Sequence, residues 1–559
     1  MTPPLSGRPT DRRTFLSLLG AGAAATVGGG LLGGCSEAKS RTQGSVEQKD
    51  KLSALLPTYK GFTGAPPPDI AGVDGAPPGY LKYPSQLVRA FPTVRGKGST
   101  FTVMSPLWGA PPASNNAYYK AIAARTGTTM KWNVQDGNTY LDKMTAILGA
   151  NDVPDVLVAG GWMFDATPRM SEAMANLFAD LTPMLAGDIS GRWPMLANIS
   201  TDAWKLGVWG GQLKAIPFVT APFSNYFLYR KDIFDTLGLA PPKNADEFLA
   251  LAKKLTDPSK NRWAFADLWQ RGGGGIAHMF RVPGRRGWIK DPSGKMINAL
   301  ETPEYEAAVA YARKLFDSKV MHPDAANQSL DTKQLFDSGR IAITSDGVGG
   351  SLTEAYARQL KTNPSFRAQP LPPLAHDGGT PVVRGSDPGA FFTVINKKLP
   401  KEKIEEYLDV ADWCSSPFGT EEAMLLQYGV EGTHYKRDAQ GTPAYTEQGQ
   451  RDASLPTYWF LGGRPPAVTE SQYPDFVQSQ TTWYNTAIKF LDKDMFAGIR
   501  IEEPATLQQA NQPVNDKVTD IIFGRRPVSD LAKIRKEWAA NGGDAGRAFY
   551  EKIVKDNNL

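Results

Sequence analysis

The chain predicts an α/β fold, and three of its stretches carry the prediction. The first is residues 100–159, where strand-like and helix-like patterns alternate; the second is "GQLKAIPFVTAPFSNYFLYRKDIFDTLGLAPPKNADEFLALAKKL" (211–255); the third is "QLFDSGRIAITSDGVGG" (334–350).

In the first stretch, "TFTVM" (100–104) alternates apolar and polar residues as a strand does. "NNAYYKAIAARTG" (115–127) has helical spacing and stops at Gly127, and "TTMKWNV" (128–134) alternates again. "YLDKMTAILGANDVPDVLVAGG" then reads as a helix, a turn at Pro154 and the continuous apolar run Val156 to Ala159, as in a strand covered on both faces. Strand, helix, strand, helix, strand builds parallel βαβ units. In the second stretch, extended runs surround Ile216 and Phe227. Asn244 is then a helix N-cap with Glu247 three residues on, and Phe248, Leu251, Ala252 and Leu255 share one face. Thr302 and Pro303 start a further helix with Ala308, Ala312, Leu315 and Phe316 on one side. The third stretch reads helix, turn, strand, loop.

Ahead of this body lies a leader. "DRRTFLSLLGAGAAATVGGGLLGGC" (11–35) joins two arginines, a short apolar run and a cysteine. A membrane span needs about 20 mostly apolar residues, and the glycines here each weaken a helix by about 1 kcal/mol relative to alanine. The order fits a secretory signal peptide over residues 1–34. Arg12-Arg13 resembles the twin-arginine export signal. Leu32-Gly33-Gly34-Cys35 resembles the bacterial lipobox, which implies cleavage before Cys35, diacylglycerol on its sulfur and anchoring outside the cytoplasm. Residues 35–98, rich in Ser, Gly and Pro, have neither helical nor strand period and are expected to be a tether and linker, wrapping onto the body near Tyr80 to Phe91.

Losing Arg8, Arg12, Arg13 and Asp11 with the leader would lower the formal charge from +5 to +3. That is small for this length and implies no nucleic-acid partner. Cys414 would be the one thiol left after lipidation, so no disulfide framework is expected. The four histidines, His278, His322, His376 and His434, fall at no metal-ligand spacing. No metal or cofactor is expected. "DPSGK" (291–295) is too short for a calcium loop, and "RGGGGIAHMFRVPGRRGW" (271–288) lacks the order of a phosphate-binding loop.

"DVPDVLVAGG", "FADLTPML", "IPFVTAPFSNYFLYRKDIFDTLGLAPPKNADEFL", "LFDSGRIAITSDG" and "YGVEGTHY" occur in the order seen in extracellular solute-binding proteins of bacterial ABC importers. The chain resembles their large oligosaccharide-binding group over residues 99–559. The resemblance implies two α/β lobes joined by crossing segments, with a hinge and an interlobe cleft that closes on ligand. It also implies a monomer that captures a carbohydrate and delivers it to the membrane subunits of a permease, with no catalysis. The expected lobes are 99–220 with about 372–420, and about 221–371 with 421–559 and its C-terminal helices. The expected crossings are "IPFVTAPFSNYFLYR" (216–230) and "FRAQPLPPL" (366–374).

Open α/β sheets bind ligand beyond the carboxyl ends of their strands. That rule singles out Trp108 after "TFTVM", Trp162 after "DVLVA", Trp269 after "RWAFAD" and Asp346 after "RIAIT". Flat aromatic faces suit sugars, whose C–H groups pack on a π-face. Tyr226 at the crossing and Trp459 complete the expected ligand-binding set, with Trp162 and Trp269 on opposite lobes. Arg271, Arg281, Arg285 and Arg286 could meet an acidic ligand at the cleft rim, but a solvated loop is the reading preferred for them. The competing readings are a membrane-anchored glycoside hydrolase, using carboxylates such as Asp267 and Asp346, and a peptide-binding protein of the same architecture.

Overall fold

A computed structural model describes residues 45–46 and 52–559, apart from 224, 270–274, 285, 328, 456 and 493. The leader, with Arg12, Arg13 and Cys35, lies outside the described residues, as do Arg271 and Arg285.

Strand β1 (Thr100–Leu107) leads to helix α1 (Ala117–Thr126), whose Asn116 side chain caps it by accepting the Tyr119 N–H at 2.7 Å. Gly127 ends the helix at φ +71°, a conformation a glycine adopts without strain. Strand β2 (Thr129–Asp136), helix α2 (Tyr140–Gly149) and strand β3 (Val156–Gly160) follow, and both β2 and β3 lie parallel to β1. The apolar run in β3 has a direct cause. Val156 and Val158 enter the core on one face of the sheet, with Phe101, Tyr118 and Tyr407, whereas Leu157 and Ala159 enter that on the other, with Met104, Tyr140 and Phe392. Helix α3 (Gly161–Ala166) leaves the end of β3.

Strand β4 (Ala215–Val219) belongs to this first sheet, while β5 (Asn225–Arg230) starts a second. Helix α4 (Ala245–Leu255) is capped by Asn244, which accepts the Glu247 N–H at 2.9 Å, and buries Phe248, Leu251, Ala252 and Leu255. Helix α5 (Pro303–Asp317), capped by Thr302, buries Ala308, Ala312 and Leu315. Strands β6 (Ile343–Gly347) and β7 (Ala368–Pro370) flank β5, both antiparallel to it. Strand β8 (Gly389–Ile395) returns to the first sheet, whose order is β2-β1-β3-β8-β4 with β8 antiparallel to its neighbours. Helices α6 (Lys401–Cys414) and α7 (Glu421–Tyr428) cover the first sheet; α8 (Pro474–Ala487) and α9 (Asp544–Asp556) pack in the core of the second. Each sheet with its core is a lobe.

Three expectations are corrected. "RWAFAD" forms no strand: Trp263 and Phe265 make single bridges to Ile341 and Met321, because the segment threads between two partners instead of lying along one. "FRAQPLPPL" is not a crossing, since β7 pairs with β5 and Leu371 and Leu374 belong to the second core. Residues 421–461 send Leu426, Ala453, Tyr458, Phe460 and Leu461 into the first core, so the first lobe extends past 420.

The linker does more than wrap onto the body near Tyr80 to Phe91. Residues 52–98 form a strap that buries Leu52, Leu56, Tyr80, Tyr83 and Phe91. Thr58 and Gly187 tie it to the first lobe (Thr58 N to Gly187 O 2.7 Å). It then crosses to α8, where Val73 N donates to Asn485 Oδ1 at 3.1 Å and Asn485 Nδ2 to Ala71 O at 2.9 Å. Finally it returns to α7, where the Ala90 and Phe91 N–H groups both donate to Glu422. Among the described residues, no helix is long and apolar enough to cross a membrane, and no group of His, Cys, Asp and Glu could hold a metal ion. Cys414 is free and buried.

Candidate binding cleft

Besides the strap, the described chain passes between the lobes at three places. Residues 220–223 run beside 385–388: Phe223 bridges Gly385 antiparallel, Ser386 N donates to Pro222 O at 3.0 Å, and Thr220 N to Pro388 O at 3.1 Å. The fit there is close: a Cβ at Gly385 would stand 3.1 Å from the Asp492 carbonyl oxygen. The third crossing leaves the first lobe at Gly463, packed against the Pro217 carbonyl, and arrives at Val468, which pairs with Pro78 and Tyr80 of the strap. All three are short and extended, the form expected of hinge segments.

Directly beside these crossings the first lobe presents an aromatic platform. Trp108 follows β1 and Trp162 follows β3, their rings 6.3 Å apart. Phe391, two residues into β8 from the second crossing, meets Trp162 at 5.1 Å and Trp108 at 6.1 Å, both edge to face. Phe460 stacks on Phe391 at 4.3 Å, and Phe218 closes the group. Such spacing is favourable for ring quadrupoles. Trp162 is 49 % exposed and Trp108 36 %.

Each tryptophan rests on a glycine. A Cβ at Gly137 would come within 2.2 Å of the Trp108 ring, and one at Gly160 within 2.6 Å of the Trp162 ring. The glycines therefore let the indoles lie close on the backbone, leaving surface free on the other side. Two large apolar rings held exposed beside a hinge form the kind of patch that marks a binding surface.

The other expected residues are placed differently. Trp269 packs against the second core with its ring edge to face on Tyr305 at 5.4 Å, and its backbone N–H donates to Asp267 Oδ1 at 2.8 Å. It and Trp162 thus stand on different lobes. Tyr226 is 1 % exposed, wedged among Phe227, His278 and Trp483, and its hydroxyl accepts the Leu374 N–H at 3.2 Å. It is a core residue with no face for ligand. Asp346 lies opposite Tyr226 on β6, and its Oδ1 accepts the Gly347 N–H at 2.7 Å as a turn carboxylate does; it lines a small cavity with Lys333, Ser351 and Arg358. Trp459 is half-buried: its indole N–H donates to the Leu426 carbonyl at 2.8 Å and the Arg464 guanidinium covers its ring at 4.0 Å.

The basic loop is likewise engaged. Arg281 is bidentate to Asp377 at 2.7 and 3.1 Å, which together with the Gly379 N–H holds that carboxyl well below the usual range. Burial alone would lower the Arg286 pKa. The combined field of Tyr550, Asp165, Asp387 and Asp494 outweighs it, and the net shift is upward. Neither described arginine is a free cation awaiting an acidic ligand.

Architecture and platform describe a protein that grips something between two lobes. A model of the bacterial extracellular solute-binding protein family matches residues 109–417, more than half of the chain. The chain is a bacterial extracellular solute-binding protein. It is 21 % identical to a polygalacturonan/rhamnogalacturonan-binding protein of Bacillus subtilis over 81 % of this chain and 90 % of the relative. It is 24 % identical to a melibiose/raffinose/stachyose-binding protein of the same organism, over 54 % of this chain and 67 % of that one. Among solved structures, an ABC-transporter substrate-binding protein of S. pneumoniae in complex with kestose superimposes with TM-score 0.59 at 14 % identity, covering 82 % of this chain and 99 % of the other. The fold of this solute-binding protein is thus the two-lobe one, and the family is extracellular.

Phe391, Phe218 and Phe460 were not singled out from the sequence of this solute-binding protein. Phe391 and Phe392 are adjacent, and strand alternation sends one to each face, but nothing local says which face meets the hinge. The one usable signal was glycine beside tryptophan in "GGW" (160–162).

Proposed function

We propose that this solute-binding protein captures an oligosaccharide between its lobes and hands it to the membrane subunits of an ABC importer, without altering it chemically. The observation that carries the reading is the exposed pair Trp108 and Trp162, backed by Phe391 and set against the crossings. Sugar rings present C–H faces that pack on such a surface, and ligand that touches both lobes favours the closed form. The names of the three relatives above, two carbohydrate-binding proteins and one in complex with kestose, support the same class of ligand. Trp108, Trp162 and, from the facing lobe, Trp269 are the residues assigned to ligand.

The test is a thermal-shift panel of purified protein with tri-galacturonate, raffinose, stachyose and kestose, each repeated calorimetrically. A ligand at 100 times its Kd stabilises the native state by about 2.7 kcal/mol, so at least one is expected to raise the melting temperature measurably. No shift and no heat with the whole panel, or release of shorter sugars, would count against the reading.

Delivery requires a place at the membrane, and we assign that to lipid on Cys35 after export directed by Arg12 and Arg13. Two acyl chains suffice for stable anchoring. Cys35→Ser is expected to leave uncleaved precursor or shed protein, scored by fractionation and metabolic labelling with palmitate. Labelled, membrane-bound protein from that variant would contradict the assignment. Replacing both arginines with lysine is expected to block export; normal export would point to the general secretory route.

A further inference from the structure

The crossings are not the whole of the connection between the lobes. Residues 494–503 extend from the second lobe onto the first. The root of this arm is fixed: Phe496, Ile499 and Ile501 are buried in the second core, Phe496 packs on Tyr550 of α9 at 5.0 Å, and the Tyr550 hydroxyl donates to Glu503 at 2.7 Å. Arg500 points the other way. Its guanidinium enters a socket made by the first lobe, where Nη1 donates to Asp165 of α3 at 2.7 Å and Nη2 to the Leu206 carbonyl at 2.6 Å. The Trp209 ring covers it at 4.2 Å and the Phe392 ring stands at 5.3 Å. Ser171 of the first lobe also donates from its N–H and its hydroxyl to Glu502, and Gly498 approaches Lys205.

The geometry points to Arg500 as an interlobe latch that stabilises the arrangement of the lobes found in this structure over rotated ones. Rotation of the lobes about crossings 220–223 and 385–388 strains this socket, because the arm is rooted in one lobe while both hydrogen-bond acceptors and both rings that meet the guanidinium belong to the other. A rotation that separates them withdraws Arg500 from two charge-assisted or carbonyl hydrogen bonds and from two aromatic faces, and leaves it the field of Asp387 in the crossing itself. Such contacts are worth most in a desolvated site, and Arg500 is 8 % exposed. Asp165 keeps 35 % of its side chain exposed, so it rehydrates readily once the arginine leaves. The socket is therefore a contact that can break and re-form. It favours one of two states through its difference between them.

The latch is independent of what the ligand is, and the experiment uses protein alone. Fluorophores on cysteines placed at exposed Lys120 and Lys254, one per lobe, report the distribution of lobe separations in the unliganded chain by single-molecule energy transfer. Arg500→Ala is expected to shift that distribution away from the separation in this structure about tenfold or more, with Asp165→Asn shifting it in the same direction by less. The double variant should shift it no further than Arg500→Ala alone, because both remove one contact. Arg500→Lys, which keeps the charge but loses the planar fork, should fall between. Should Arg500→Ala fail to fold, Asp165→Asn and Arg500→Lys carry the same reading. Folded variants with the wild-type distribution would overturn the proposal, as would additive effects of the two substitutions.

Discussion

Trp162→Ala is expected to weaken oligosaccharide binding about fivefold to 150-fold while leaving the melting temperature of the free protein almost unchanged. The scale is about 1–3 kcal/mol, from the apolar area a sugar ring covers on the indole and the added preference of the π-face. The small effect on stability follows from exposure. Half of the Trp162 surface faces solvent in the free protein, so truncation forfeits mainly the contacts with Gly160 and Phe391. Trp108→Ala should lose comparable affinity at a somewhat larger cost in stability, since it is more enclosed. A core tryptophan such as Trp204, fully buried, behaves oppositely: its truncation costs about 3–5 kcal/mol of stability. Calorimetry and thermal unfolding on the same variants separate the cases. Intact affinity in Trp162→Ala, with or without destabilisation, would remove the residue from the site.

Glu422→Ala is expected to destabilise the protein by about 3–5 kcal/mol, the range for removing one partner of a buried charged group. The Glu422 carboxylate has no solvent exposure, and it accepts the Ala90 N–H at 3.1 Å, the Phe91 N–H at 3.2 Å and Arg125 Nη2 at 3.3 Å. Alanine would leave those donors without their acceptor and loosen the return of the strap to the first lobe. Glu422→Gln keeps the shape and one acceptor oxygen, so it should cost less. Denaturant titration reads both, and hydrogen exchange should increase first at residues 88–91. A loss under about 1 kcal/mol for Glu422→Ala would mean that the strap contributes little to holding the body together.

Much of the architecture was legible because its elements repeat a period. Val156 to Ala159 reads as a two-sided strand since both faces of the first sheet are covered, and Asn244 and Thr302 announce their helices by capping chemistry that acts within four residues. Of the strap, only the wrap near Tyr80 to Phe91 was legible, for the opposite reason. Leu52, Leu56 and Phe91 enter the first core and Tyr80 and Tyr83 pack on Phe418, with no periodic spacing to reveal them in Pro- and Gly-rich sequence. The second crossing was misplaced because "FRAQPLPPL", an edge strand, and "GSDP" (385–388), the actual crossing, are both extended and punctuated by proline. Only partners distant in sequence tell them apart. At the site, Trp162 and Tyr226 both adjoin apolar strands, yet one lies beyond the end of β3 on a glycine and the other inside β5. A shift of one residue along a strand changes the face, and that register is set by tertiary packing.

The claim on which the rest depends is that the two lobes close on ligand. Small-angle scattering of the protein alone, and with a saturating amount of whichever oligosaccharide gives the largest thermal shift, measures it directly. The account predicts a smaller radius of gyration in the liganded sample and a pair-distance distribution that loses its longest vectors. Identical profiles, with full occupancy established by calorimetry on the same samples, would contradict it and leave a rigid two-lobe receptor in place of a hinged one.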